Sequence, residues 1–301
     1  MLHGNNKQIN ISGKQWLENT FDSNSWVILS PVEQSIRAKI EKYGTPLRDW
    51  DIKINRGVLT GCNEAFIITT AKREEILANC KTKDERKRTD EIIRPILRGR
   101  DIKRYKYDWK GLWLINTHNG VKGRFPRIDI KDYPAIKQWL DKGGEAYNGK
   151  IYHGYKDIEK RADKGDTPYN LRNCAYLEDF SKPKIIWKRV GSIIRFCYTE
   201  KSFFALDSTC FAIGKYVKFL TFVLNSPLGH FLLKDSPKTG TGDLLISVQA
   251  IAPLRIPLPK DFNVLEQDSI NEESEFFWMN YTYKKYHLTV EERNYINKLY
   301  K

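Results

Sequence analysis

The amino-acid sequence predicts an α+β fold in which mixed or antiparallel sheets carry flanking helices. Two observations predict it. Apolar runs with strand character outnumber helical patterns, and the two kinds of element do not alternate as they would in βαβ units. Of the 301 residues, 41% are hydrophobic and 13% aromatic, which is ordinary for a folded globular chain and argues against intrinsic disorder. There is no internal repeat and no low-complexity tract.

The N-terminal elements follow from local signals. Residues 1–25 are polar and rich in asparagine, which predicts a linker or an N-terminal extension, and the apolar run 26–29 predicts a strand. Ser30 is followed by proline and glutamate, the order found at helix N-termini, so a helix is predicted over 31–42, ending at Gly44.

The next segment is predicted to be a hairpin followed by a helix. Residues 52–68 contain two apolar arms around Thr60–Asn63, where Gly61 is available for a positive φ. A helix rich in lysine, arginine and glutamate is predicted over 71–80. Residues 81–91 are almost entirely charged and are predicted to be an exposed loop or helix end.

Turn residues, proline positions and apolar periods also divide the rest of the chain. They predict a strand at 112–116, a helix at 133–140 ended by Gly143 and Gly144, an irregular segment at 145–180, a hairpin of 184–187 with 193–198, strands at 203–205 and 209–213, helices at 216–224 and on to 233, an extended segment at 253–259, and a capped helix at 289–300.

The charge balance favours an anionic partner. The formal net charge is +14 and the isoelectric point is about 9.4. Residues 261–301 hold eight acidic and five basic side chains, a net of −3, so residues 1–260 carry +17. A basic folded body, rather than a basic tail, predicts a shaped site for nucleic acid first and for an acidic membrane surface second.

Several chemistries are not indicated. The five cysteines are odd in number and contain no Cys-x-x-Cys pair, which disfavours disulfides and zinc and fits a reducing cytoplasm. The most apolar window, 219–233, is interrupted by Asn225, Pro227 and His230 and is not expected to cross a membrane. Neither a Walker loop nor a dinucleotide fingerprint occurs, and the histidines lack metal-site spacing.

The segment Arg94–Tyr105 is the main candidate site. It carries five cations against the single carboxylate of Asp101 and is expected to be a cationic hairpin or loop directed at a polyanion; the alternative is a solvated basic face. The cations are Arg94, Arg98, Arg100, Lys103 and Arg104. Gly99 stands between two arginines, where a side chain would block close approach of a ligand.

Three further groups are candidates, and the first two of them have a structural alternative. Thr60 and Asn63 offer short donors near a phosphate, or form a plain turn. The predicted ribbon that carries Lys188, Arg189 and Arg195 enters the major groove, or is an exposed sheet face. The glycine-rich loop that carries Lys238 and Thr239 is expected to clamp a phosphate.

Two other classes of function stay open. Asp-Ile-Lys occurs at 51–53, 101–103 and 129–131, and a carboxylate two residues before a lysine is half of a magnesium-dependent nuclease site. The pattern is short and frequent in a chain with 29% charged residues. An RNA-binding or assembly module is the second alternative.

Two longer motifs occur in a fixed order, Arg56–Ile68 (RGVLTGCNEAFII) and Ile93–Tyr105 (IRPILRGRDIKRY). Weaker motifs follow at 133–136, 182–187, 224–228, 253–259 and 286–293. From Trp26 to the C-terminus, the chain resembles the TaqI-like C-terminal specificity domain. That family provides the target-recognition domains of type IIG restriction–modification enzymes and related adenine-specific DNA methyltransferases.

The resemblance implies a DNA target-recognition domain over 26–260, with 261–301 as a C-terminal helical extension packed on it. In the family, a separate catalytic domain uses S-adenosylmethionine and holds adenine with an Asn-Pro-Pro-Tyr motif. Asn225–Leu228 is the nearest match here and lacks the second proline and the aromatic ring, so it is expected to serve packing.

For this chain the resemblance therefore implies no catalytic residue, metal or cofactor. S-adenosylmethionine, and magnesium where the system cleaves, belong to associated catalytic domains. The implied partners are double-stranded DNA and a methyltransferase domain, with or without a nuclease, fused or as a separate subunit in a prokaryotic cytoplasm. Arg98 or Arg100 is expected to contact a guanine edge, while Lys103 and Arg104 suit phosphates.

Overall fold

The computed structural model describes residues 29–259 and 272–300 and, as backbone only, residues 9–11 and 15–17. The strand predicted at 26–29 therefore lies outside the described residues except for Leu29. The strands are β1 (Ile9–Ile11), β2 (Gln15–Leu17), β3 (Thr45–Pro46), β4 (Ile52–Arg56), β5 (Ile67–Thr69), β6 (Ile93–Leu97), β7 (Leu112–Ile115), β8 (Gly144–Glu145), β9 (Ile151–Tyr152), β10 (Lys184–Lys188), β11 (Val190–Gly191), β12 (Phe196–Thr199), β13 (Phe204–Ala205), β14 (Thr209–Gly214), β15 (Leu244–Leu245) and β16 (Arg255–Ile256). The helices are α1 (Pro31–Tyr43), α2 (Asn63–Phe66), α3 (Thr70–Ala78), α4 (Lys83–Ile92), α5 (Pro134–Lys142), α6 (Tyr155–Lys160), α7 (Val217–Asn225), α8 (Pro227–Leu233), α9 (Val248–Ile251), α10 (Glu272–Lys285) and α11 (Val290–Leu299).

Two four-stranded sheets organise these elements. The first has the order β12-β10-β14-β4 and is antiparallel throughout. The second has the order β13-β6-β7-β5, in which only the β13–β6 pair is parallel. Short two-stranded pairs, including β8–β9 and β11–β15, lie outside these sheets. The predicted α+β class, with mixed and antiparallel sheets, is confirmed.

The first sheet lies between two apolar cores. Ile186 and Phe211 belong to the first core, which is shared with the second sheet and α5. Ile185 and Trp187 belong to the second core, which is shared with α1, α7 and the C-terminal helices. Successive side chains of a strand point to opposite faces, so burial of both faces gives β10 its uninterrupted apolar run.

The chain crosses from the first sheet towards the second at Gly57, and we call this crossing the glycine joint. The Val58 N–H donates to the Ala205 carbonyl at 2.7 Å, and the Leu206 N–H donates to the Leu97 carbonyl at 2.9 Å. A Cβ atom on Gly57 would lie 2.0 Å from the Leu206 carbonyl oxygen, so this crossing requires glycine. The joint places the end of β6 beside the turn between β13 and β14, where the candidate site is built.

Local signals located several elements correctly. Ser30 caps α1 by accepting the Glu33 N–H at 3.3 Å, and Gly143 ends α5 at φ +72°. Thr289 and Glu292 form the predicted capping box of α11. The hairpin of β10 with β12 is also confirmed.

The hairpin predicted over 52–68 is wrong. Its first arm, β4, pairs with β14, and its second arm, β5, pairs with β7 in the other sheet. The chain crosses between the sheets at Gly57 and forms the short helix α2 before β5 begins. Both arms are apolar, and an apolar run indicates burial without identifying its strand partner.

Two segments are more ordered than predicted. Most of 81–91 is helical, as α4, capped by the Thr82 hydroxyl, which accepts the Glu85 N–H at 3.1 Å. The segment 145–180, predicted to be irregular, contains the β8–β9 hairpin and α6.

The helices α10 and α11 pack on the second core through Trp278, Tyr283 and Ile296.

Lys184 is a fully buried lysine in β10 and makes fold stability depend on pH. Its ammonium donates to the Lys182 and Lys201 carbonyls at 2.9 and 3.0 Å, and burial lowers its pKa from 10.5 to about 8. Between these values the unfolded chain binds more protons than the folded chain, so this residue's contribution to stability increases as the pH rises from about 8 to 10.5. Below pH 8 both states are charged and the full cost of burial applies.

We therefore expect the stability of Lys184→Met, measured relative to wild type at the same pH, to be higher at pH 7 than at pH 10. The difference in unfolding free energy between variant and wild type should change by roughly 2–3 kcal/mol over this range. Denaturant unfolding of both proteins at each pH measures it. Lys201→Met is the matched control at an exposed lysine, and an equal pH dependence in both variants would contradict the assignment to Lys184.

Candidate nucleic-acid interface

The segment Arg94–Tyr105 is held in place by the buried carboxylate of Asp101. After β6, residues Gly99–Asp101 form a 3₁₀ turn. Asp101 is 2% exposed and accepts three hydrogen bonds from Arg98: from the backbone N–H at 2.8 Å, from Nε at 3.0 Å and from Nη2 at 2.8 Å. The turn is therefore fixed by a charge-assisted pair within the segment itself.

This pair changes the roles expected for both residues. The Arg98 side chain is 11% exposed and its Nε and Nη2 already bond to Asp101, so the predicted contact with a guanine edge does not fit its position. Arg100 is exposed and stays the candidate for that contact. Both Asp101 oxygens accept from Arg98, so the carboxylate is not free to hold the magnesium of the alternative nuclease site.

Gly99 is required by packing inside the protein. Its N–H donates to the Ser208 hydroxyl at 3.0 Å. A Cβ atom at this position would lie 2.9 Å from Lys188 Cγ and from the Ser208 carbonyl oxygen. The close approach expected at Gly99 is thus made by the protein itself, and it brings the 3₁₀ turn against the end of β10.

Two adjacent depressions lie along this contact. The smaller has a volume of about 260 Å³ and the larger about 1030 Å³. Lys103, Ile193 and Arg195 line both of them. The larger is also bordered by Asn225, His230 and Tyr300.

We define the cationic surface as the five basic residues of these depressions that have no carboxylate partner among the described residues. In the part of the chain that the structure describes, none of them forms an ion pair. They are Arg100, Lys103, Lys106, Lys188 and Arg195. The surface thus combines the main candidate segment with the β10–β12 hairpin, and its unpaired cations can bind a polyanion.

Arg104 lines the larger depression but, unlike the five cations of this surface, is paired with a carboxylate. Its guanidinium donates to Glu275 Oε1 at 2.6 Å and to the Asn225 carbonyl at 3.4 Å, and the Tyr105 hydroxyl also donates to Glu275. Glu275 is 8% exposed. These bonds tie the segment to α10. The Arg104 side chain is still 43% exposed and lines the larger depression, so the phosphate contact expected of it stays a prediction, in which the guanidinium would be shared with Glu275.

Thr60 and Asn63 form a structural turn. Thr60 is 1% exposed and its hydroxyl donates to Asn63 Oδ1 at 2.6 Å, with Gly61 at φ +67° as predicted. Buried Thr60 cannot contact DNA, so that expectation is corrected in favour of its structural alternative. Buried Arg161, which the sequence did not single out, donates to the Thr60 carbonyl and to the Asp163 carbonyl at 2.9 Å.

The remaining predicted residues lie outside both depressions. Arg94 is half-buried within β6, and Arg189 is half-buried between β10 and β11. Lys238 forms a bridge with Leu244, whose partner in β11 is Gly191. The loop that carries Lys238 and Thr239 therefore runs beside the β11–β15 ribbon, next to the cationic surface.

The predicted packing role of Asn225 agrees with its contacts. Its Oδ1 accepts the Phe196 N–H at 2.9 Å and its Nδ2 donates to the Phe196 carbonyl at 2.8 Å. Two members of the site, Lys106 and Ile193, were not among the predicted residues. Lys106 directly follows the charged segment, which was a usable signal, whereas no sequence feature marked Ile193.

The described residues offer neither a metal site nor a membrane-spanning helix. No group of three or more histidine, cysteine, aspartate or glutamate side chains is arranged to hold a metal ion. No helix among those residues has the length and apolar character needed to span a bilayer.

The fold and the site define an α+β module with a cationic surface built from two parts of the chain. The family model of the TaqI-like C-terminal specificity domain matches residues 94–258, more than half of the chain. The chain belongs to this family, and the resemblance noted in the sequence is confirmed. The matched range begins at Arg94, the first residue of the segment that forms the site.

Two solved structures are similar over most of this chain. The type IIG restriction endonuclease BpuSI matches with a TM-score of 0.44 and 12% identity, over 89% of this chain and 32% of its own. The Type IIL restriction-modification enzyme MmeI in complex with DNA matches with a TM-score of 0.48 and 9% identity, over 84% and 33%. The chain spans about a third of the length of each. No curated protein sequence matches.

Proposed function

We propose that this chain binds double-stranded DNA sequence-specifically, as the target-recognition part of a type II restriction–modification adenine-specific DNA methyltransferase, with or without endonuclease activity. The observation that carries the proposal is the cationic surface, whose five cations lack carboxylate partners in the described residues while neighbouring Arg98 and Arg104 are paired. Because the chain belongs to a specificity-domain family, double-stranded DNA is the polyanion that we propose for this surface.

The residues of the cationic surface suit two tasks. Lys103, Lys106 and Lys188 carry single ammonium groups on flexible stems, which suit phosphates. Arg100 extends from the rigid turn held by Asp101, and its planar guanidinium can donate two parallel hydrogen bonds to guanine O6 and N7. Preorganisation of the turn lowers the entropy lost on binding.

The chemistry is proposed to reside in associated domains, in the same polypeptide or in a separate subunit. S-adenosylmethionine would be bound by the methyltransferase domain, and magnesium by a nuclease domain where one exists. The assembly would work in a prokaryotic cytoplasm, which fits five free cysteines, three of them with a pKa raised to about 11 or 12 by burial.

The proposal predicts DNA binding with a steep salt dependence. Phosphate contacts by Lys103, Lys106, Lys188 and Arg195 would give a slope of about −3.6 for log K against log salt, so affinity should fall roughly a hundred-fold between about 50 and 200 mM salt. Fluorescence anisotropy with a labelled random-sequence duplex measures this, with a duplex RNA of equal length as competitor.

Three outcomes would contradict the proposal. An affinity that does not respond to salt would exclude phosphate binding as its main source. Equal competition by RNA would favour the RNA-binding alternative. Cleavage of DNA by the chain alone with magnesium would favour the nuclease alternative.

A further inference from the structure

Ile193 is an exposed apolar side chain within the cationic surface. It is 57% exposed and lines both depressions. The other isoleucine of the smaller depression, Ile102, is 2% exposed. Among the described residues of that depression, Ile193 is therefore the exposed isoleucine presented to a ligand, in a lining that also contains Arg100, Lys103, Lys188 and Arg195.

The loop that presents Ile193 is anchored on both sides. Ile194 is 8% exposed and belongs to the second core, and Phe196 is clamped by the Asn225 amide through two hydrogen bonds. On the other side, Gly191 pairs with Leu244 in the β11–β15 ribbon. Since its neighbours are fixed inward, Ile193 is held outward before any ligand binds.

An isoleucine side chain gains nothing from a phosphate, so its partner must be another part of DNA. In the major groove, the apolar group that varies with sequence is the 5-methyl group of thymine. On the basis of the proposed function, we propose that Ile193 contacts a thymine methyl group and thereby determines specificity at one position of the recognised site. The surrounding cations hold the adjacent phosphates, and the methyl contact excludes water from both apolar groups.

The test begins by selecting bound sequences from a random duplex library with the wild-type chain. Each thymine of the selected duplex is then replaced by deoxyuridine, which keeps base pairing and lacks the methyl group. At one position, this replacement should lower the affinity of the wild type by about four-fold, which is the effect of one buried methyl group. Ile193→Ala should bind the two duplexes equally at that position.

Ile151→Ala is the matched control, because Ile151 is 60% exposed and lines neither depression. It should keep the wild-type preference for thymine over uracil. The inference is overturned if Ile193→Ala also keeps it, or if the wild type tolerates uracil at every position. A loss of affinity in Ile193→Ala that is the same for both duplexes would indicate a wedge between base pairs and would also overturn it. Failure of the wild type to enrich any sequence would instead refute the proposed function.

Discussion

Replacing Lys103, Lys106, Lys188 and Arg195 together by glutamine is expected to lower DNA affinity roughly a thousand-fold near physiological salt. Each lost phosphate contact removes a released counterion, so the slope of log K against log salt should also become shallower by about 0.9 per residue. Anisotropy titrations at several salt concentrations measure both quantities. The thermal stability of the variant should be unchanged, because these side chains have no carboxylate partner in the described residues.

A second fourfold variant separates a shaped site from diffuse charge. This variant changes four exposed lysines on α4 and α6 that lie outside both depressions, namely Lys83, Lys87, Lys156 and Lys160. Replacing them removes the same number of positive charges. Their replacement by glutamine should lower affinity far less than the first variant does. Equal losses in the two variants would mean that net charge, and not the cationic surface, supplies the binding.

Asp101→Ala is expected to have the largest effect on stability. The substitution leaves the largely buried Arg98 guanidinium without its carboxylate and removes three hydrogen bonds from the turn. Breaking a buried ion pair in this way costs about 3–5 kcal/mol of unfolding free energy. Denaturant unfolding measures it, and DNA affinity at a temperature where the variant is still folded should fall with the loss of the turn.

Two further variants define the cause of this effect. Asp108→Ala removes an exposed carboxylate paired with Lys110, and should cost far less stability than Asp101→Ala because solvent screens the pair. The double variant Arg98→Met and Asp101→Leu replaces both charges by apolar groups and should recover much of the stability lost in Asp101→Ala. A cost for Asp101→Ala as small as that for Asp108→Ala would show that the pair does not hold the turn.

The sequence located most helices because their signals are local. Ser30, Gly143 and the Thr289–Glu292 pair act within a few residues of their helix ends, so their meaning does not depend on the rest of the fold. Strand pairing was predicted correctly between β10 and β12, where a short connection sets it. The arms of 52–68 failed because their partners, β14 and β7, are distant in the chain.

The candidate site was predicted in location and corrected in detail. The charge of 94–105 identified the correct segment, but charge alone does not distinguish a free cation from a paired one. The pairing of Arg98 could have been recognised from the sequence, since Asp101 follows at the spacing of a local pair. The pairing of Arg104 could not have been recognised, because its partner Glu275 is 171 residues away.

By itself, the sequence determined the α+β class, the family, the helix ends and the excess of positive charge on the main body. The class, the helix ends and the charge follow from local periodicity, capping and composition, and the family follows from the resemblance of its ordered motifs; none of these requires knowledge of contacts. Only the tertiary structure decided which cations stay unpaired and which neighbours they have. Ion pairing and burial depend on residues brought together from the segment after β6, β10, the loop before β12 and α10, so the cationic surface and the exposed Ile193 within it exist only in the folded chain.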